Sequence, residues 1–116
     1  MYTKIEDIKI REIHLGEDDQ IIYLTNGDCI TSSDGYGASY NNNYELSHQF
    51  CLYANTDVLH LEKDSTEIEE FKSDANDYLE YVMRELDNEE IHPEDIEEYK
   101  LKEFKDSFKV LKVIKF

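Results

Sequence analysis

The chain has 116 residues, with 28 Asp or Glu against 12 Lys or Arg, so its formal charge is −16. That length predicts one domain over residues 1–116, and 40% hydrophobic residues allow it a modest core. A pI near 4.4 argues against direct nucleic-acid binding, which needs a basic surface, and against adsorption to anionic membrane.

The first residues carry acids and no apolar core, so no signal peptide is expected, and no run of about 18 apolar residues predicts a membrane span. Cys29 and Cys51 are too few for a disulfide framework. Their apolar neighbours predict buried thiols, and a cytoplasmic chain is the simplest expectation.

Residues 1–61 read as β. Ile5 to Leu15 predicts a strand, Gly16-Glu17-Asp18-Asp19 a turn, and Gln20 to Thr25 a second strand. Asn26-Gly27 is a strong hairpin signal. A two-residue loop there would pair Thr25 with Asp28, Leu24 with Cys29 and Tyr23 with Ile30, and a third strand starts at Ile30. From Ser32 to Tyr44 periodicity stops, and Tyr, Ser, Asn and Gly dominate. This predicts a loop without regular structure, of a composition that adaptable binding loops use, with Tyr36, Tyr40 and Tyr44 as candidate contacts. Ser47 to Tyr53 and Val58 to Leu61 predict further strands.

Thr66 followed by Glu69 fits a capping box. Ile68, Phe71, Ala75, Tyr78, Leu79, Val82, Met83 and Leu86 then recur at helical spacing. The helix Thr66 to Leu86 would span about 31 Å. Pro93 suits the first turn of a second helix. Alternation over Phe108, Val110, Lys112, Ile114 and Phe116 predicts a closing strand. The fold class is therefore α+β: a small antiparallel sheet of N-terminal strands and a C-terminal strand, covered by one or two acidic helices.

Catalytic signals are weak. There is no P-loop, GxGxxG, GxSxG, HExxH or CxxC motif. His48 and Cys51 stand three apart with no partner motif, so no metal or other cofactor is expected, nor an enzyme. Clustering of His48, Cys51 and His60 around a pocket is what an enzymatic reading would require.

Charge is unevenly placed. Residues 1–61 carry a net −7, residues 62–98 a net −13, and residues 99–116 a net +4. Glu67, Glu70, Asp74 and Asp77 form a stripe on the predicted helix, with Glu80 continuing it. Thirteen negatives on two helices packed over about 31 Å give one per roughly 2.4 Å, close to the duplex value of about 1.7 Å.

In size, in the Glu62–Glu98 acidic block and in the Tyr/Asn loop 36–44, the chain resembles the small acidic inhibitors of phages and mobile elements. The clearest of these are the anti-CRISPR proteins that mimic nucleic acid. The resemblance implies a non-catalytic inhibitor whose partner is a basic, nucleic-acid-binding nuclease. It would present Glu67, Glu70, Asp74, Asp77, Glu80, Tyr36, Tyr40 and Tyr44. An immunity protein against a nuclease toxin would share this composition. So would an interaction or accessory domain whose acidity serves only solubility.

Overall fold

A computed structural model describes residues 7–33, 37–47, 50, 58–89 and 96–116. Six strands form one sheet: β1 (Ile10–Leu15), β2 (Asp19–Leu24), β3 (Cys29–Ser33), β4 (Gly37–Tyr40), β5 (Tyr44–Glu45) and β6 (Lys112–Lys115). Two helices accompany them, α1 (Thr66–Asn88) and α2 (Glu98–Ser107). All pairings are antiparallel, in the order β5-β4-β3-β2-β1-β6. The α+β class is thus the one expected, and the closing strand forms beside β1, with Ile13 opposite Ile114. No described helix is long and apolar enough to cross a membrane.

Side-chain alternation gives the sheet two faces. Ile13, Leu15, Ile22, Leu24, Ile30, Ala38 and Ile114 belong to the main core with Ile68, Phe71, Ala75, Leu79, Val82 and Met83 of α1. Ile10 and Ile13 differ by an odd step and so would point to opposite faces of a regular strand. A bulge at Arg11 between the Ile10–Leu24 and Glu12–Tyr23 pairs returns both to the core. Buried polar groups on this face are few, and Gln20 donates to the Phe50 carbonyl at 3.4 Å.

The reverse face carries Glu12, His14, Ile21, Tyr23, Cys29 and Thr31. Here α2 contributes Lys105, whose ammonium lies 5.1 Å from the Tyr23 ring centroid. The Arg11 guanidinium lies 5.5 Å from the same ring. The two helices therefore sit on opposite faces of the sheet.

Several local expectations change. The β2–β3 hairpin pairs Tyr23 with Cys29 and Ile22 with Ile30, one residue away from the expected register. Leu24 N donates to Asp28 O, and Gly27 N to Leu24 O. The loop is thus three residues, Thr25-Asn26-Gly27, a turn followed by a glycine at φ 92°. Gly27 supplies the left-handed residue that this longer loop needs. The slip is decisive because one residue exchanges the two faces: it puts Ile22 and Ile30 together in the core.

Residues 32–44 are largely ordered rather than a structureless loop, since β3, β4, a turn at 41–43 and β5 occupy their described part. Val58 to Leu61 is a helical turn instead of a strand, with Leu61 N donating to Val58 O. The expected strand 47–53 lies mostly outside the described residues, as do Pro93 and Cys51. Ser65, not Thr66, caps α1, its hydroxyl accepting from Ile68 N at 3.2 Å.

The helices are held differently. In α1 six side chains are buried, including Phe71 at 2% exposure. In α2 none is buried, although Leu101 and Phe104, and Phe108 just after it, are half-buried. Burying a large aliphatic or aromatic side chain stabilises by roughly 1.5–3 kcal/mol, so α1 is anchored and α2 is attached. Native-state hydrogen exchange should show the amides of α2 opening well before those of α1. Phe71→Ala should lower global stability by about 3–5 kcal/mol in urea titration.

Candidate functional site

The acidic face is built by the helix that supplies the core. The apolar stripe commits one side of α1 inward, so its charged positions share the remaining arc. At 3.6 residues per turn, Glu67, Glu70, Asp74 and Asp77 fall within about 80° of one another. Glu67, Glu70, Asp77 and Glu80 are exposed and Asp74 is half-buried. The backbone therefore brings the five predicted acidic residues onto the outer side of one helix. Compensation is sparse: Lys72 lies 3.7 Å from Glu69 and Arg84 lies 3.5 Å from Glu80, exposed pairs of little individual weight.

The charge density differs from the expected one. In α1 there are eight carboxylates and two cations, a net −6 over about 34 Å, or one per roughly 6 Å. The second helix adds nothing to this surface. It starts at Glu98, after the acids at 94–97, and its three acids are balanced by Lys100, Lys102 and Lys105. It also lies across the sheet from α1. Among the described residues two acidic helices do not pack side by side, and the linear density on α1 is about a third of a duplex's.

The tyrosines separate into different roles. Tyr36 lies outside the described residues. Tyr40 is buried at 6% exposure, and its hydroxyl donates to Asp28 Oδ2 at 2.5 Å. It is a core residue rather than a contact offered to a partner. Burial first, and then the hydrogen bond to Asp28, push its phenol well above the ordinary value of 10.0. Tyr44 is half-buried on β5 and packs against the main core. Its phenol is also raised, by desolvation and then by the Glu89 and Glu85 carboxylates. Just beyond β5, Ser47 N donates to Glu85 Oε1 at 2.9 Å, which joins this edge of the sheet to the C-terminal end of α1.

The asparagines expected in a binding loop form a clasp. Asn41 and Asn42 have φ of 52° and 58°, a left-handed conformation that Asn tolerates well. As the chain leaves the β3–β4 ladder there, the Asn41 side chain replaces a backbone partner: its Oδ1 accepts from Cys29 N at 2.8 Å. Its Nδ2 donates to Asp28 at 3.1 Å. Asn42 Nδ2 donates to the Lys100 carbonyl at 3.0 Å. Asn43 donates to the Glu97 carbonyl and accepts from Glu97 N, at 3.0 and 2.8 Å. The start of α2, which has no side-chain cap of its own, is thus tied to a turn more than fifty residues earlier.

Cys29 is buried, as expected, and burial raises its thiol above 9.0 while Lys105 acts in the opposite direction. His14 hydrogen-bonds Glu12 at 3.1 Å and meets the Tyr23 ring at 4.6 Å. Among the described residues no three His, Cys, Asp or Glu side chains converge as metal ligands would. His48, Cys51 and His92 lie outside those residues, and His60 is exposed. Comparison with protein-family models, curated proteins and solved structures finds no match to this chain.

Asn43→Ala should release α2, accelerating exchange of its amides while leaving those of α1 unchanged, at a cost of about 1 kcal/mol. Tyr40 makes alkaline stability informative. A raised phenol favours the protonated side chain in the fold, so its contribution is complete below the unfolded value near 10.0 and is lost as pH rises above it. Urea midpoints should fall on the alkaline side, and Tyr40→Phe should flatten that fall while lowering neutral-pH stability by about 1 kcal/mol.

Proposed function

We propose that this protein is a non-catalytic inhibitor that docks on a basic, nucleic-acid-binding site of a partner protein, with a nuclease as the partner class. The outer face of α1 is the docking surface. The observation that carries this reading is the fixed display of Glu67, Glu70, Asp77 and Glu80 on a helix whose opposite side is locked into the core. Carboxylates held by a packed helix need little further ordering on binding. With the net charge of −16, they also steer a basic partner at long range.

The linear density limits the form of the competition. A surface carrying one net charge per roughly 6 Å matches part of a phosphate footprint rather than a full duplex. It would occupy the most basic portion of a nucleic-acid site. Tyr44, beside the acidic end of α1, supplies an amphipathic contact at the edge of the same surface.

Charge reversal is the test. Wild-type protein and the Glu67→Lys, Glu70→Lys, Asp77→Lys, Glu80→Lys variant would be used as bait in host extract at low and high salt. The captured protein should be a nucleic-acid-binding enzyme, displaced by added duplex or single-stranded nucleic acid and by salt. The variant should not retain it. Equal capture by a folded reversal variant, or capture insensitive to salt, would rule the reading out.

A further inference from the structure

The strongest remaining feature is at the opposite end of the chain. Among the described residues, Val110, Leu111, Val113 and Phe116 are all exposed large apolar side chains, four within seven consecutive positions. They lie on and beside β6, which ends the strand order. Exposed apolar groups on an edge strand mark a surface prone to pairing.

The hydrogen-bond pattern shows which groups the edge offers. Phe116 N donates to Arg11 O at 3.1 Å, so in the antiparallel register the backbone groups of Ile114 and Lys112 also turn toward β1. The N–H and C=O groups of Val113 and Lys115 then turn outward. Their side chains share the reverse face of the sheet, with the Val113 side chain 41% exposed.

Charge selects the occupant. Residues 108–116 hold three lysines and no acid, with Glu12 facing Lys115 from β1. Lys112 is engaged, donating to the carbonyls of Leu59 and Leu61, whereas Lys109 and Lys115 are exposed. A second copy would bring another lysine-bearing edge to this one. An acidic strand is complementary where a copy of this chain is not.

We propose that β6 accepts an extended acidic peptide segment of a partner protein as a seventh strand, through the outward backbone groups of Val113 and Lys115. Strand alternation fixes the segment's pattern: an aliphatic residue opposite Val113 and an acid opposite Lys115, two positions apart. The surface is separate from the outer face of α1, so either could fail without the other.

The test uses the full chain and the peptide acetyl-Glu-Thr-Glu-Thr-Val-Thr-Ile-amide. A control peptide carries N-methyl groups on its second Glu and its Val, keeping every side chain but removing the donors that face β6 in the antiparallel register. The first peptide should slow exchange of the Val113 and Lys115 amides, and the control should not. Lys115→Glu should weaken binding about five- to tenfold, exchanging a favourable cross-strand pair for a repulsive one. Val113→Pro, which removes only an outward donor, should abolish binding with far-UV circular dichroism unchanged. Absence of protection, equal protection by the N-methylated peptide, or sedimentation showing a dimer that Val113→Pro dissolves would each overturn the proposal.

Discussion

The contact on which the molecule depends is the apolar stripe of α1 against one face of the sheet. Phe71, Ala75, Leu79 and Val82 are essentially without exposure there, and they meet Ile13, Leu15, Ile22 and Ile30 from three adjacent strands. Few other assemblies of this size are available to a chain with 34% charged residues. Once the stripe is buried, the position of every charge on α1 follows, because a helix has one angular coordinate to spend. The acidic face is in that sense a by-product of core formation, and its rigidity comes from the same packing.

The reverse face is solved by a different physics. No side chain of α2 is fully buried, so apolar burial cannot supply its attachment as it does for α1. Polar contacts take over: Asn42 and Asn43 hydrogen-bond the backbone of Glu97 and Lys100, and Lys105 lies over Tyr23. Hydrogen bonds of this kind contribute about 1 kcal/mol each but demand defined geometry. Left-handed Asn41 and Asn42 provide it by turning the chain out of β4 with their side chains directed to β3 and α2.

This contrast explains what the sequence could disclose. Periodicity encodes apolar burial, so α1, β2 and the alternation in β6 were legible, as was the segregation of acid onto one helix. The clasp was not, because Tyr-Asn-Asn-Asn reads alike whether the amides face water or bind a helix more than fifty residues away. Tyr40 looked like a binding residue for the same reason: a tyrosine's hydroxyl serves a surface contact or, as with Asp28, a buried partner. The hairpin register turned on whether Asn26-Gly27 forms the whole loop or its last two residues, and the core pairing of Ile22 with Ile30 decided it. Composition also placed the acids at 94–97 on a second helix. They precede it, and α2 itself is neutral.

The net charge of −16 consequently divides into parts with different physical meaning. On α1 the carboxylates are fixed relative to one another, and the cost of holding them together has been met by the core beneath. Like-charge neighbours at helical spacing each cost a few tenths of a kcal/mol, small beside the several kcal/mol from burying Phe71 and its neighbours. A strongly packed helix is therefore the element best able to carry such a stripe. The lysines of the last eighteen residues lie instead on α2, on β6 and between them, where apolar burial is slight and, among the described residues, β6 is paired on one side only. Segregating the two signs this way leaves the uncompensated carboxylates on one helix and the exposed lysines beside the sheet edge, so the mean charge of the chain describes neither surface.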